Sequence, residues 1–360
     1  MTAADDHVVS ASLSAAITQF PKAELHVHEY GALSPAALDT LIDRYDPDSP
    51  LRSVDGAFTP IPGGLESFFK TYLAISDLVR TAEDVHLMVS SCATQLRAQN
   101  VRYAELTIAP VLAARKGIHV ADYSAAIEQA RHDAQRDHGI QLQWVVSLPA
   151  QLGAHAADDT VGWVESGLFP SAVALGLGGS EALFPRRDFT AAFKRARALG
   201  LRSAPHAGEG STASAVWEAI DDLHADRVGH AVAAASDPAL LDALRERNIS
   251  VECCITSNLS TGVIDTLHDH PVTTFADAGV PYTINTDDPT IFGTSLAREY
   301  ELAVTLTGTG LTGAADLARA SFARALGHAD GVAGFLQEID SITRDAADPT
   351  RTLTKEAPLA

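Results

Sequence analysis

Ile249-Ser250-Val251-Glu252-Cys253-Cys254 is a near-continuous apolar run, and the polar pair Ser257-Asn258 lies just beyond it. A run of that length with little polar alternation reads as a strand covered on both faces, as strands of parallel sheets are. Trp144-Val145-Val146-Ser147-Leu148 reads the same way. Working outward gives eight candidate strands: Ala23–His28, Val101–Ile108, Leu142–Leu148, Ala172–Leu177, Leu201–His206, Arg227–His230, Ile249–Cys254 and Tyr282–Thr286.

Amphipathic segments fill the intervals. Ala82–Asn100 puts Val85, Met88, Val89, Cys92 and Leu96 at helical spacing, and Thr81 and Asp84 are placed for a capping box. Further helices are expected at Pro35–Arg44, Val120–His138, Asp188–Leu199, Ala213–Leu223, Pro238–Arg247 and Thr294–Thr307. Gly200, Gly279 and Gly310 stand where helices should stop. Eight β/α units without a linker favour one closed (β/α)8 TIM barrel over two sheets, with extra helices over its C-terminal face. The expected domain is 1–345, with 346–360 as a C-terminal tail. Residues 46–64 are rich in Pro, Gly and Asp and are placed to cross the barrel mouth. The next segment, Leu65–Leu78, carries Leu65, Phe68, Phe69, Tyr72 and Leu73 on one face. That stripe suits either core packing or a lid that lines a substrate pocket.

The bulk numbers exclude several classes. With 360 residues and 46% hydrophobic content, the chain can bury a large core. A net charge of -20 and a pI near 5.0 set it against nucleic acid and anionic lipid as partners. Three cysteines, two of them adjacent, make no disulfide framework and suit a reducing cytoplasm. The acidic N-terminal stretch lacks the basic start of a secretory signal. No apolar stretch is long enough to span a bilayer.

The chemistry sits at strand ends. In a strand, residues i and i+2 face one side, so His26 and His28 converge. At the end of a first barrel strand they face the mouth, where such barrels keep their active sites. Among 14 histidines a single His-x-His is weak evidence. His206 ends the fifth candidate strand, however, and Asp287 follows the eighth. Three imidazoles and a carboxylate suit one Zn²⁺ per chain, or another divalent transition ion, with a position left for water. Such an ion lowers the pKa of water towards neutrality. His230 and Asp288 are each placed to orient that water or take its proton. Glu209, three residues after His206, is placed to give a substrate a proton, which requires a raised pKa.

The motifs PKAELHVH, PHAGE, RVGH, CITSN and INTDDP, in this order from about Pro21 to about Ala325, resemble those of the adenosine deaminase family within the amidohydrolase superfamily. The resemblance implies a (β/α)8 barrel that removes the 6-amino group of a purine nucleoside with one Zn²⁺. Carried over by position, it implies that His26, His28, His206 and Asp287 bind the metal and that Glu209 protonates N1. It further implies that His230 orients the attacking hydroxide, that Asp288 accepts from the water or contacts N7, and that the Gly179 N–H meets N3. On the physical side, addition at C6 builds charge on N1, which Glu209 can neutralise.

The pattern departs from the family after His28. Leu-Asp-Gly is usual there, and this chain has Glu29, Tyr30 and Gly31. The family aspartate accepts from a ribose 5′-hydroxyl, so Tyr30 weakens the case for free adenosine unless Glu29 swings in. Substrate contacts are expected from Glu29, Tyr30, Phe68 and Phe69. Some actinobacterial members that deaminate aminodeoxyfutalosine also lack that aspartate, and they look similar in ELHVH, RYAELT and GLGG. A 5′-modified adenosine is therefore the expected substrate. The alternatives are adenosine or 2′-deoxyadenosine, a different aminated heterocycle, and a purine-binding protein without catalysis. Thr107 and Ile255 also depart from the usual residues, and both read as packing changes with room to reshape the pocket. Ala174–Glu181 is glycine-rich without a phosphate-binding spacing.

Overall fold

The computed structural model describes residues 9–58 and 63–348. Eight strands form one sheet: β1 Lys22–His28, β2 Val101–Ile108, β3 Gln141–Val146, β4 Ala172–Leu177, β5 Arg202–Ala207, β6 Arg227–His230, β7 Ser250–Cys253 and β8 Tyr282–Ile284. Each pairs in parallel with the next, in the order of the chain. Val27 and Asp287 form a further parallel bridge that brings the chain after β8 back to β1. Two backbone bonds fasten this closure: Asp287 N–H donates to the His26 carbonyl at 2.9 Å, and His28 N–H donates to the Asp287 carbonyl at 2.8 Å. The sheet is therefore a (β/α)8 barrel whose seam runs through the candidate metal ligands.

The strands are buried on both faces because helices cover the outside and side chains fill the inside. The last strand stops earlier than its sequence suggests. Beyond Ile284, side chains join the remaining backbone bonds: Leu25 N–H donates to Asn285 Oδ1 at 3.1 Å, and Thr286 N–H donates to Glu24 Oε1 at 3.2 Å. The helix Ala82–Ala98 opens on the expected capping box between Thr81 and Asp84, and Val120–His138 has the expected bounds.

Gly310 does not end a helix. Gly308, left-handed at φ 65°, caps Leu296–Thr307, and Gly310 opens the next helix, Gly310–Ala323. That helix and Ala11–Gln19, Gly153–Glu165 and Val332–Ala347 lie outside the helices read from periodicity. Lys22, fully buried, donates from Nζ to the carbonyls of Ile17 and Phe20 and so ties the end of Ala11–Gln19 to β1. Ala346 and Ala347 still belong to the last helix, and most of the expected tail lies outside the described residues.

Of the segment 46–64, residues 59–62 lie outside the described residues. The helix that follows, Gly64–Ser76, lies against the mouth: the Phe68 ring stacks on Phe292, just past β8, at 5.1 Å between centroids. Among the described residues no helix is long and apolar enough to cross a membrane.

Candidate metal centre and active site

His26, His28, His206 and Asp287 meet at one point, with one ligand atom from each inside a group no wider than 4.8 Å. His28 Nε2 lies 3.4 Å from His26 Nε2, 3.1 Å from His206 Nε2 and 3.2 Å from Asp287 Oδ1. His26 Nε2 lies 3.3 Å from the same carboxylate oxygen. Ligand atoms about 2.1 Å from a tetrahedral ion sit roughly 3.4 Å from one another, so the donors fit a divalent cation such as zinc. Without a cation, the lone pairs of three imidazoles and a carboxylate would face each other out of water, which is unfavourable. These residues could hold a metal ion.

The backbone aims these groups. Asp287 and His230 have φ of 63° and 60°, left-handed values that bulky residues rarely adopt. At both places the chain leaves the strand direction and turns a side chain into the mouth, a strain that tertiary bonds must hold. Around the ligands, the His26 Nδ1 contacts Glu252 Oε2 at 2.6 Å, which turns Nε2 towards the centre. The Ser257 hydroxyl donates to Asp287 Oδ2 at 2.7 Å.

A cavity of about 260 Å³ opens beside the ligands. His28, His206, Glu209, His230, Asp287 and Asp288 form its polar end. His230 Nε2 lies 3.9 Å from Glu209 Oε2 and 3.9 Å from Asp287 Oδ2, while its Nδ1 meets the Asn258 amide at 3.1 Å. Burial pushes the His230 imidazole down to about 4, so it is neutral near pH 7. Burial, with Asp287 and Glu181 nearby, pushes the Glu209 carboxyl up to about 8. Burial and the charge of Asp287 also hold Asp288 well above the usual carboxylate range. Burial alone would raise Asp287, but hydrogen bonds from His26 and His28 hold it well below. Two adjacent carboxyls are thus driven apart, one suited to binding a cation and one to carrying a proton.

The opposite wall is apolar. Phe68, Phe69, Tyr72 and Leu73 from the helix Gly64–Ser76 line it, with Leu112, Leu148 and Leu152. Gly179 also lines the cavity. It is left-handed at φ 86°, and a Cβ there would come within 2.0 Å of Gln151 Oε1. Thr107 reaches the cavity, whereas Ile255 is fully buried at the start of the short helix Ile255–Ser260.

Glu29 and Tyr30 do not line the cavity, and the expectation for them is corrected here. The Glu29 carboxylate accepts from the Ala109 N–H and the Tyr123 hydroxyl, so it is fully engaged outside the mouth. Tyr30 is buried behind Tyr72, with its ring 5.5 Å from that of Tyr72 and Lys116 Nζ 5.3 Å from its centroid.

The family model for adenosine deaminase matches residues 21–342. This chain belongs to the adenosine deaminase family. It is 43% identical over 335 residues to an aminodeoxyfutalosine deaminase of Streptomyces avermitilis, covering 91% of this chain and 92% of the other. An adenine deaminase of Cupriavidus taiwanensis is 33% identical over 339 residues, covering 92% and 95%. Among solved structures, an amidohydrolase from Burkholderia ambifaria with bound Zn superposes with a TM-score of 0.86 at 26% identity, over 96% of this chain and 98% of that one.

Within this family member, several groups around the site went unread in the sequence. Glu252 is a lone acid inside an apolar strand, and its oddity in ISVECC was the available signal. Arg227, which pairs with it at 2.5 Å, stands in the sequence only as the first residue of RVGH, and Gln151 and Ser147 in the cavity wall carry no local signal. They come near the site only because closure of the barrel gathers β6, β7 and the turn after β3 around one interior.

Proposed function

We propose that this family member is a zinc-dependent hydrolase that converts a 6-aminopurine nucleoside, modified at its 5′ position as in aminodeoxyfutalosine, to the 6-oxo purine and ammonia. The single observation that carries the reaction is the convergence of His26, His28, His206 and Asp287 at the end of a cavity that Glu209, His230 and Asp288 also line. When bound, a divalent cation supplies Lewis acidity and a water nucleophile near neutral pH.

The chain's own residues do the rest. Glu209, protonated because it is buried near two carboxylates, gives its proton to N1 as oxygen adds to C6. The neutral His230 imidazole, held at Nδ1 by Asn258, keeps Nε2 directed at the attacking water. Asp288, whose ionised form a cation held beside it would favour, takes one proton from that water and passes it to the departing nitrogen. The water's other proton leaves the C6 oxygen as the carbonyl forms and replaces the one Glu209 gave, so water enters, ammonia leaves and both acids are restored. The Gly179 N–H meets N3, and Phe68 and Phe69 cover the ring.

The substrate reading rests on what surrounds the far end of the cavity. Glu29 is tied to Ala109 and Tyr123, and Tyr30 is shielded by Tyr72, so neither offers a carboxylate to a ribose 5′-hydroxyl. No Lys or Arg lines the cavity among the described residues, which disfavours a 5′-phosphate. The apolar wall of Leu73, Leu112 and Leu152 suits the carbon framework of a 5′ substituent. We take residues 1–345 as one catalytic domain with 346–360 as a tail, acting on a small molecule in the cytoplasm, where the buried free cysteines would stay reduced.

Ammonia release from a panel tests the reading. The panel holds aminodeoxyfutalosine, 5′-methylthioadenosine, adenosine, 2′-deoxyadenosine, adenine, AMP and aminated non-purine rings. The expected order of kcat/KM puts a 5′-modified nucleoside first. A preference for adenosine would select the adenosine deaminase reading, and release only from a non-purine ring would overturn the assignment.

A further inference from the structure

The loop between β4 and the helix Thr190–Ala198 grips the active site from two sides. Glu181, in that loop, accepts from the Gly208 N–H at 2.5 Å, from the Glu209 N–H at 3.0 Å and from the Ser211 hydroxyl at 2.6 Å. All three donors belong to the turn that follows His206. Gly208 is left-handed there at φ 73°, and a Cβ on it would come within 2.5 Å of Val216 Cγ2, so the turn is tight. Arg186, from the same loop and fully buried, donates from Nη2 to the Gly179 carbonyl at 2.7 Å. The cavity-lining Gly179 and the backbone of Glu209 are therefore fastened to one stretch of chain.

The geometry points to Glu181 as a positioning residue for the reaction: its carboxylate clamps the backbone of Gly208 and Glu209 and so sets where the Glu209 carboxyl reaches into the cavity. The inference rests on the proposed role of Glu209 as the proton donor. Two consecutive N–H donors on one carboxylate are charge-assisted bonds in a buried place, the strong kind. An acid that must meet a ring nitrogen within hydrogen-bond reach tolerates little displacement. The carboxylate also faces Glu209 itself, and Arg186 lies near both acids, so removing Glu181 changes position and field together.

Two measurements on the metal-loaded full chain test this. The first is hydrogen exchange of the Gly208 and Glu209 amides. The wild type should protect both, and Glu181→Gln should speed their exchange by about 10-fold or more. Unprotected amides in the wild type, or unchanged exchange in the variant, would overturn the clamp whether or not the protein deaminates purines. The second is steady-state kinetics on the best substrate of the panel. Glu181→Gln should lower kcat by about 10- to 100-fold with KM within about twofold and with metal content unchanged. A loss confined to KM, or no loss in kcat, overturns the positioning role. Glu181→Asp, which keeps the carboxylate, should recover part of kcat, and a variant with no recovery counts against it. Failure of the wild type to release ammonia from any purine would instead strike the proposed function, leaving the exchange result to decide the clamp.

Discussion

His26 Nδ1 lies 2.6 Å from Glu252 Oε2, and this contact decides which nitrogen of the imidazole looks into the barrel mouth. Glu252 is held in turn by Arg227, whose Nε is 2.5 Å from Oε1, and Arg227 Nη1 is 2.6 Å from Glu105 Oε2. Burial would push the Glu252 carboxyl up, but Arg227 and His26 hold it below its usual range. A fully buried row of alternating charges thus runs from the barrel floor to His26, a candidate metal ligand.

Glu252→Gln should therefore weaken metal binding by about 10- to 100-fold, because the imidazole loses the partner that fixes its tautomer. Competition against a chelator of known affinity measures this. Turnover at saturating metal should fall less than affinity does, and an unchanged affinity would contradict the role given to Glu252.

Gly31 lies under Asp288. A Cβ at Gly31 would stand 1.8 Å from Asp288 Oδ1 and 2.4 Å from Asp288 Cβ. Gly31→Ala should displace Asp288 and lower kcat by about 100-fold, while the protein keeps its metal. Kinetics with elemental analysis on the same sample checks both halves, and full activity would show that Asp288 need not stay where it is.

Glu209 must be protonated to act as the acid, and its pKa lies near 8. A raised carboxyl is protonated below that pH and loses its proton above it, so kcat/KM should fall as pH rises through about 8. Glu209→Gln should retain metal and lower kcat by about 100-fold or more. A pH profile that stays flat to pH 9.5, roughly 1.5 units above that pKa, would remove Glu209 as the acid.

The Tyr30 hydroxyl is buried without a hydrogen-bond partner. Tyr30→Phe should leave kcat/KM on every nucleoside within about twofold and stabilise the fold by about 1 kcal/mol, since an unsatisfied buried hydroxyl costs that order. Thermal unfolding and the substrate panel measure it. A selective change on nucleosides with a free 5′-hydroxyl would mean that the hydroxyl reaches the ligand.

The sequence by itself determined the strands and pointed to the four residues that gather as a candidate ligand set. A run such as Ala172–Leu177 is apolar on both faces, as a covered strand is, and His26 and His28 must share a side because side chains alternate along a strand. The helices Gly153–Glu165 and Gly310–Ala323 escaped, since alanine- and glycine-rich segments carry a weak apolar period and form against the barrel. Only the tertiary structure decided that Glu29 turns to Ala109 and Tyr123, that Glu181 holds the turn bearing Glu209, and that Glu252 and Arg227 stand behind His26. The physical reason is range. Strand alternation acts between residues two apart, whereas Glu252 meets His26 across 226 residues of chain, and only closure of the sheet brings them together.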